Sequence, residues 1–385
     1  MHHSVNKSTA YSLPKQQKQD EKEEIKKTEE DKMISDVILN YYVTYPMRRR
    51  QRSFNTEWIL IEKGFKTISI CENFFSFDKI HTGMYHMKDD ITKTPCNQSL
   101  RLLANKGFNI YLKKELFQRM NSIKTRGVIY TLLNLPPFYR NTGVVTISRG
   151  NLASILCHYG RKLNIPITVV IPKYVNDERN KLLNQYKDLS INVIAYGRNM
   201  LEVHEFAIAL ALSSKLFYLD LNDHPYMIIG QATMGLEMMR QVHDNIDAVI
   251  LPTTIDGCNL TAGMALAIKE RNSKVQVIEV QVVAIDYWLQ KVRSRTTLCN
   301  ELNFRPVTEY KACALENLPN CLIDEVITID QTMITDAFEC LSKSEGLRDY
   351  HAAIALAPIL TGQLDKLKGK SVLIPLYGVT DSFIN

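Results

Sequence analysis

From Asn109 onward, short apolar runs alternate with longer stretches whose apolar positions recur every three or four residues. The runs N-I-Y-L-K, G-V-V-T-I-S, I-T-V-V-I-P, I-N-V-I-A-Y, L-F-Y-L-D, D-A-V-I-L-P, K-V-Q-V-I-E-V and S-V-L-I-P-L are short and rich in β-branched residues. Each predicts a strand, because such side chains pack well on a pleated surface. Between them, N-L-A-S-I-L-C-H-Y-G-R-K-L-N, N-M-L-E-V-H-E-F-A-I-A-L-A-L and L-T-A-G-M-A-L-A-I-K-E-R-N predict helices whose Met and Leu positions belong to the core. Strand–helix alternation of this kind predicts an α/β protein with mainly parallel sheets. In such sheets a ligand gathers beyond the carboxyl ends of the strands.

The N-terminal part is a different material. Residues 1–33 include K-Q-Q-K-Q-D-E-K-E-E-I-K-K-T-E-E-D-K, almost wholly polar and of mixed charge, which predicts a disordered tail or a solvated helix. Residues 34–89 show only fragments of strand-like pattern, such as F-K-T-I-S-I-C, and form an extension to which the pattern assigns no role.

Composition narrows the class. With 385 residues, 45% of them hydrophobic, the chain buries a large core and is expected to form more than one lobe. Its 47 basic and 41 acidic residues leave +6, spread along the sequence rather than gathered in a block. The run Arg48-Arg49-Arg50-Gln51-Arg52 has no interleaved aromatics, so it reads as solvated loop, and no nucleic-acid partner is expected. The eight cysteines fall in no C-x-x-C and no Cys/His cluster, which argues for reduced thiols and against a metal site or a disulfide framework. The start, M-H-H-S-V-N-K-S, lacks the apolar core of a secretory signal, and no apolar run is long enough to span a bilayer. A soluble cytoplasmic protein without a membrane partner is expected.

Three places carry candidate chemistry. The strand G-V-V-T-I-S runs into Ser148-Arg149-Gly150-Asn151-Leu152, a strand-to-helix turn where unpaired N–H groups would face an anion. After D-A-V-I-L-P comes Thr253-Thr254-Ile255-Asp256-Gly257-Cys258-Asn259, a second such turn. Lys124, in N-S-I-K-T-R-G, stands at the start of a helical pattern, where a cation opposes the helix dipole.

The order of these features resembles one family. T-P-C-N-Q-S-L-R-L-L followed by N-I-Y-L-K-K-E-L-F-Q-R-M-N-S-I-K-T-R-G is similar to the entry segment of pyridoxal-phosphate enzymes of the tryptophan-synthase β type (fold type II). The branch it resembles most is that of serine/threonine dehydratases and serine racemase. S-R-G-N-L is similar to that branch's S-x-G-N-H, and K-L-N-I-P-I-T-V-V-I-P to its K-L-G-I-P-A-x-I-V-M-P. G-Q-A-T-M-G-L-E resembles G-Q-G-T-I-G-L-E, and D-A-V-I-L-P with L-T-A-G-M-A resembles the strand and helix flanking a glycine-rich phosphate loop. The likeness runs collinearly over roughly 90–385.

That resemblance implies a two-lobed, three-layer parallel-sheet fold, with 90–142 and 221–385 forming a large cofactor-type domain and 143–220 a small one. It implies pyridoxal 5'-phosphate as cofactor, a small amino acid as substrate, and a homodimer. Lys124 matches the lysine that binds the cofactor aldehyde and moves the substrate's α-proton. Asn151 matches the contact to the ring 3′-oxygen; Ser148, Arg149 and Gly150 match the loop that receives the substrate carboxylate. Thr253, Thr254, Gly257, Cys258 and Asn259 take the place of the phosphate loop, and Tyr377 that of the residue meeting the pyridine nitrogen. The segment G-Q-A-T (230–233) is expected either to line the site or to start a helix tightly.

The sequence also departs from the family. T-T-I-D-G-C-N replaces a run of four glycines and brings an acidic Asp256; Ile123 stands where a phenylalanine usually packs near the ring. Arg149 replaces a small residue, and Tyr377-Gly378-Val379-Thr380 replaces S-G-G-N. Two functional expectations follow. One is a lyase that eliminates water from a serine- or threonine-like hydroxy amino acid, giving a keto acid and ammonia. The other is a non-catalytic descendant that keeps the fold and binds a small molecule or a protein.

Overall fold

The computed structural model describes residues 75–102, 107–148, 151–175, 185, 190–219, 224–243, 245–253, 258–282 and 322–378, the side chains of 151, 201, 258 and 259 excepted. The charged tail, the F-K-T-I-S-I-C run, the basic run at 48–52, and Arg149, Gly150, Thr254, Asp256 and Gly257 lie outside the described residues.

Among the described residues ten strands build two sheets. Strands β1 (Cys96–Gln98), β2 (Asn109–Lys114), β7 (Ala248–Thr253), β8 (Gln276–Val282), β9 (Glu325–Ile329) and β10 (Ser371–Leu376) form a six-stranded sheet in the order β1-β2-β10-β7-β8-β9. Only β1 runs antiparallel. Strands β3 (Val144–Ile147), β4 (Ile167–Ile171), β5 (Ile191–Ala195) and β6 (Phe217–Tyr218) form a fully parallel four-stranded sheet in the order β5-β4-β3-β6. The helices are α1 (Phe77–His86), α2 (Lys124–Leu133), α3 (Pro137–Thr142), α4 (Asn151–Lys162), α5 (Met200–Ser213), α6 (Pro225–Gln241), α7 (Cys258–Arg271), α8 (Gln331–Glu345) and α9 (Tyr350–Leu360).

The expected α/β architecture is present, and the strand runs read from the sequence correspond to β2 to β8 and β10. Those runs look continuously apolar because alternate residues of one strand enter different cores. In β7, Ala248 and Ile250 pack with α8 and α9, whereas Val249 and Leu251 pack with α2, α6 and α7. The second of these cores continues through α4 into the four-stranded sheet via Val144, Ile167 and Val169. On that sheet's other face, Val145 and Val170 meet Val203, Phe206 and Leu210 of α5. The helices α1, α8 and α9 and the edge strands β1 and β9 lie outside the strand and helix runs picked out from the sequence.

Helix α6 passes very close to α2. A Cβ at Gly230 would lie 2.5 Å from the carbonyl oxygen of Arg126, so only glycine allows this approach. The segment G-Q-A-T therefore sits inside α6 rather than at its start. None of the described helices is long and apolar enough to cross a membrane.

Candidate active site

Lys124 is the first residue of α2 and is partly exposed. The chain enters that helix through two successive non-glycine residues in left-handed conformation, Met120 (φ 59°) and Asn121 (φ 51°). Each costs about 1–2 kcal/mol against the right-handed form, so the surrounding contacts must hold them. They do so through the end of β10. The Ile123 N–H donates to the Tyr377 carbonyl at 3.2 Å, and Ser122 forms an isolated antiparallel bridge with Gly378. Gly378 has φ 86°, and a Cβ there would stand 2.3 Å from the Asn121 carbonyl oxygen. The Ser122 hydroxyl accepts from the Lys124 N–H at 3.3 Å, which compensates for the absence of a side-chain cap at Ile123.

Beneath this entry lies a fully buried set of four charges. The Arg126 guanidinium donates to both carboxylate oxygens of Glu115, at 3.0 and 2.9 Å, and to Glu237 Oε2 at 3.0 Å. The Lys113 ammonium donates to Glu237 Oε1 at 2.5 Å, to the Thr94 carbonyl at 2.8 Å and to Gln241 at 2.9 Å. Two cations face two carboxylates, so the cluster is neutral. Burial alone would raise the Glu115 pKa, but the charge and hydrogen bonds of Arg126, then Lys113 and Thr94, outweigh it and hold the carboxyl below its ordinary range. The sequence reading missed this cluster. Residue type carried no clear signal, because Lys114, Arg119 and Lys124 in the same stretch are charged and do not join the cluster.

Three other candidates stand at carboxyl ends of strands. Ser148 follows β3; its hydroxyl accepts from the Ala153 N–H at 3.3 Å, in the first turn of α4. Thr253 ends β7 and donates to Glu279 Oε1 at 2.6 Å, while its hydroxyl lies 3.3 Å from that of Thr261 in α7. Tyr377 follows β10, is 1% exposed, stacks on His351 at 5.4 Å and directs its hydroxyl to the Pro252 carbonyl at 3.4 Å. Burial, then the charge of Asp349, keeps that phenol protonated far beyond its usual range. Asn151, Cys258 and Asn259 open α4 and α7, with side chains outside the described set. The structure thus sets the residue before Lys124 against Tyr377 through the 123–377 backbone bond, and sets Thr253 on β7, the strand adjoining β10.

Residues 87–378 match the family of pyridoxal-phosphate dependent enzymes. The chain belongs to this family. It is 28% identical to an L-threonine ammonia-lyase of Thermotoga maritima over 79% of this chain and 75% of the relative. It is also 28% identical to a catabolic L-threonine dehydratase of Staphylococcus aureus, over 79% and 88%. The structure of maize serine racemase superposes with a TM-score of 0.68 at 22% identity, covering 80% of this chain and 94% of the racemase.

The family's cofactor is a phosphorylated pyridine aldehyde, and the donor set suits such a group. A primary amine stands at the head of α2 and the amino end of the 14-residue α7 lies just past β7, whereas the phenol after β10 is buried with its hydroxyl on the Pro252 carbonyl. No cluster of His, Cys, Asp and Glu suited to a metal occurs among the described residues.

Proposed function

We propose that this pyridoxal-phosphate-dependent enzyme is an ammonia-lyase that eliminates water from a small hydroxy amino acid of the L-serine/L-threonine type, releasing a keto acid and ammonia. The observation that carries the reading is Lys124, whose backbone is anchored through its neighbours Ser122 and Ile123 to the end of β10, within a chain whose relatives include threonine ammonia-lyases. When bound, the cofactor supplies an electron sink that labilises the bonds at the substrate's α-carbon.

The protein's own part is to bind, orient and move protons. In this reading the Lys124 amine would hold the cofactor and, when free, would be the base for the substrate's α-proton. The Tyr377 phenol, which stays protonated, would be the donor toward the pyridine nitrogen if its hydroxyl turned from the Pro252 carbonyl. Ser148, with Arg149, Gly150 and the amino end of α4, receives the substrate carboxylate, and Asn151 meets the ring 3′-oxygen. Thr253, Thr254, Gly257, Cys258 and Asn259 hold the phosphate at the amino end of α7. The four-stranded sheet and its helices, residues 143–220, form the small lobe; 90–142 with 221–385 form the large one, and the ligand occupies the cleft between them. A cytoplasmic homodimer completes the reading, checked by light scattering of the purified protein.

The test is direct. Protein loaded with pyridoxal 5'-phosphate and treated with borohydride should carry the reduced cofactor on Lys124 by peptide mass mapping, and should release keto acid from L-serine or L-threonine. One observation favours a second reading, a non-catalytic descendant. Tyr377 is a large, fully buried ring wedged against His351 where relatives hold a small residue. No labelling and no keto acid would decide for that alternative.

A further inference from the structure

We propose that Asp349, a buried carboxylate outside every motif of the family resemblance, is a positioning residue that fixes Lys124 by clamping the end of β10. The sequence of contacts is continuous. Asp349 lies at the amino end of α9, where its Oδ1 accepts from the Ala352 N–H at 2.9 Å. Its Oδ2 accepts from the Gly378 N–H at 2.8 Å, and the N–H groups of His351 and Tyr377 bond it as well. One carboxylate, 2% exposed, therefore ties the first turn of α9 to the two residues that follow β10. Those same two residues hold the entry of α2: Tyr377 through its carbonyl to Ile123, Gly378 through its bridge to Ser122. Lys124 comes next in the chain, hydrogen-bonded through its N–H to Ser122.

The need for a clamp is visible in the backbone. Met120 and Asn121 would relax from their left-handed conformations if the end of β10 withdrew, and the amine of Lys124 would move with them. A small displacement of a reacting group is expensive in rate, so a remote clamp acts on turnover rather than on binding. His351 adds to the same grip by stacking on the Tyr377 ring. The titratable groups that face Asp349 are Tyr377 from the end of β10 and His351 from α9.

The role as positioning residue rests on the proposed activity; the clamp itself does not, so the experiment has two arms. In the first, hydrogen exchange of cofactor-free protein is followed at 121–124 and 376–378, corrected for intrinsic rates. Burial outweighs the amide bonds and lifts the Asp349 pKa to about 6, so openings that wet the carboxyl are favoured once it is charged. In the wild type both segments should lose protection together as pH rises through that value. In Asp349→Asn that step should vanish from both. A step at 376–378 without one at 121–124, or no step at either, would overturn the clamp. In the second arm, assayed below about pH 6 where the wild-type clamp is closed, the loaded Asp349→Asn variant, whose amide turns one of the two acceptors into a donor facing an N–H, should lose about tenfold in kcat with KM within about twofold. Intact kcat beside a coupled exchange step would overturn the positioning role and leave the clamp. If the wild type binds no cofactor while both segments still move together, the proposed function fails and the clamp stands. Wild-type exchange supplies the first arm even where the variant does not fold.

Discussion

Two lysines eleven residues apart in one segment, Lys113 and Lys124, meet opposite fates. Lys113 ends up wholly buried in a neutral cluster with Glu115, Arg126 and Glu237. Lys124 opens α2, and among the described residues no carboxylate pairs with it. The difference lies in where the chain puts each ammonium. A buried cation without partners pays a desolvation cost of several kcal/mol, so Lys113 survives only because two carboxylates and two carbonyl oxygens meet it. A cation committed to such a cluster cannot also do chemistry. The buried four-charge cluster shapes the scaffold around α2; Lys124, partly exposed at the head of that helix, takes no part in it.

The largest effect that tests this contrast should come from Lys124→Ala. We expect loss of at least about 10³-fold in ammonia-lyase activity, with a melting temperature close to the wild type, because no buried partner is left behind. Equal losses of activity and stability would break the distinction. Arg126→Met should do the reverse. Two buried carboxylates would then share the single cation Lys113, so denaturant titration should show about 3–5 kcal/mol of lost stability.

The two buried carboxylates should also part company in acid. Glu115 is held below its ordinary pKa, so its contribution is present above the unfolded value of 4.5 and is lost as pH falls through the folded one. Asp349 is raised from 3.8 to about 6, so its contribution is present below 3.8 and lost as pH rises through about 6. Asp349→Asn should therefore remove about 2–3 kcal/mol of pH-dependent stability between those values, read from urea titrations at pH 4 and pH 7. The smallest effect belongs to Ser148→Ala, which deletes the acceptor for the Ala153 amide. About 1 kcal/mol of stability should be lost, together with a rise in substrate KM if the hydroxyl also meets the carboxylate.

The sequence by itself determined the α/β class, because strand runs and helical periods each answer to local backbone and side-chain preferences. It also placed Lys124 at a helix start and Ser148, Thr253 and Tyr377 at strand ends, since those positions depend only on where a periodic pattern stops. Tertiary structure decided which residues share a site. The 123–377 hydrogen bond joins positions more than 250 residues apart, and no local period records that pairing. It likewise decided that Asp349, which by sequence is an ordinary helix cap before the apolar run Y-H-A-A-I-A-L-A, also binds the end of β10. Burial separates Lys113 from Lys124. A side chain's desolvation and its partners come from the packing of distant elements, so the sequence singled out Lys124 through the family resemblance and passed over Lys113 altogether.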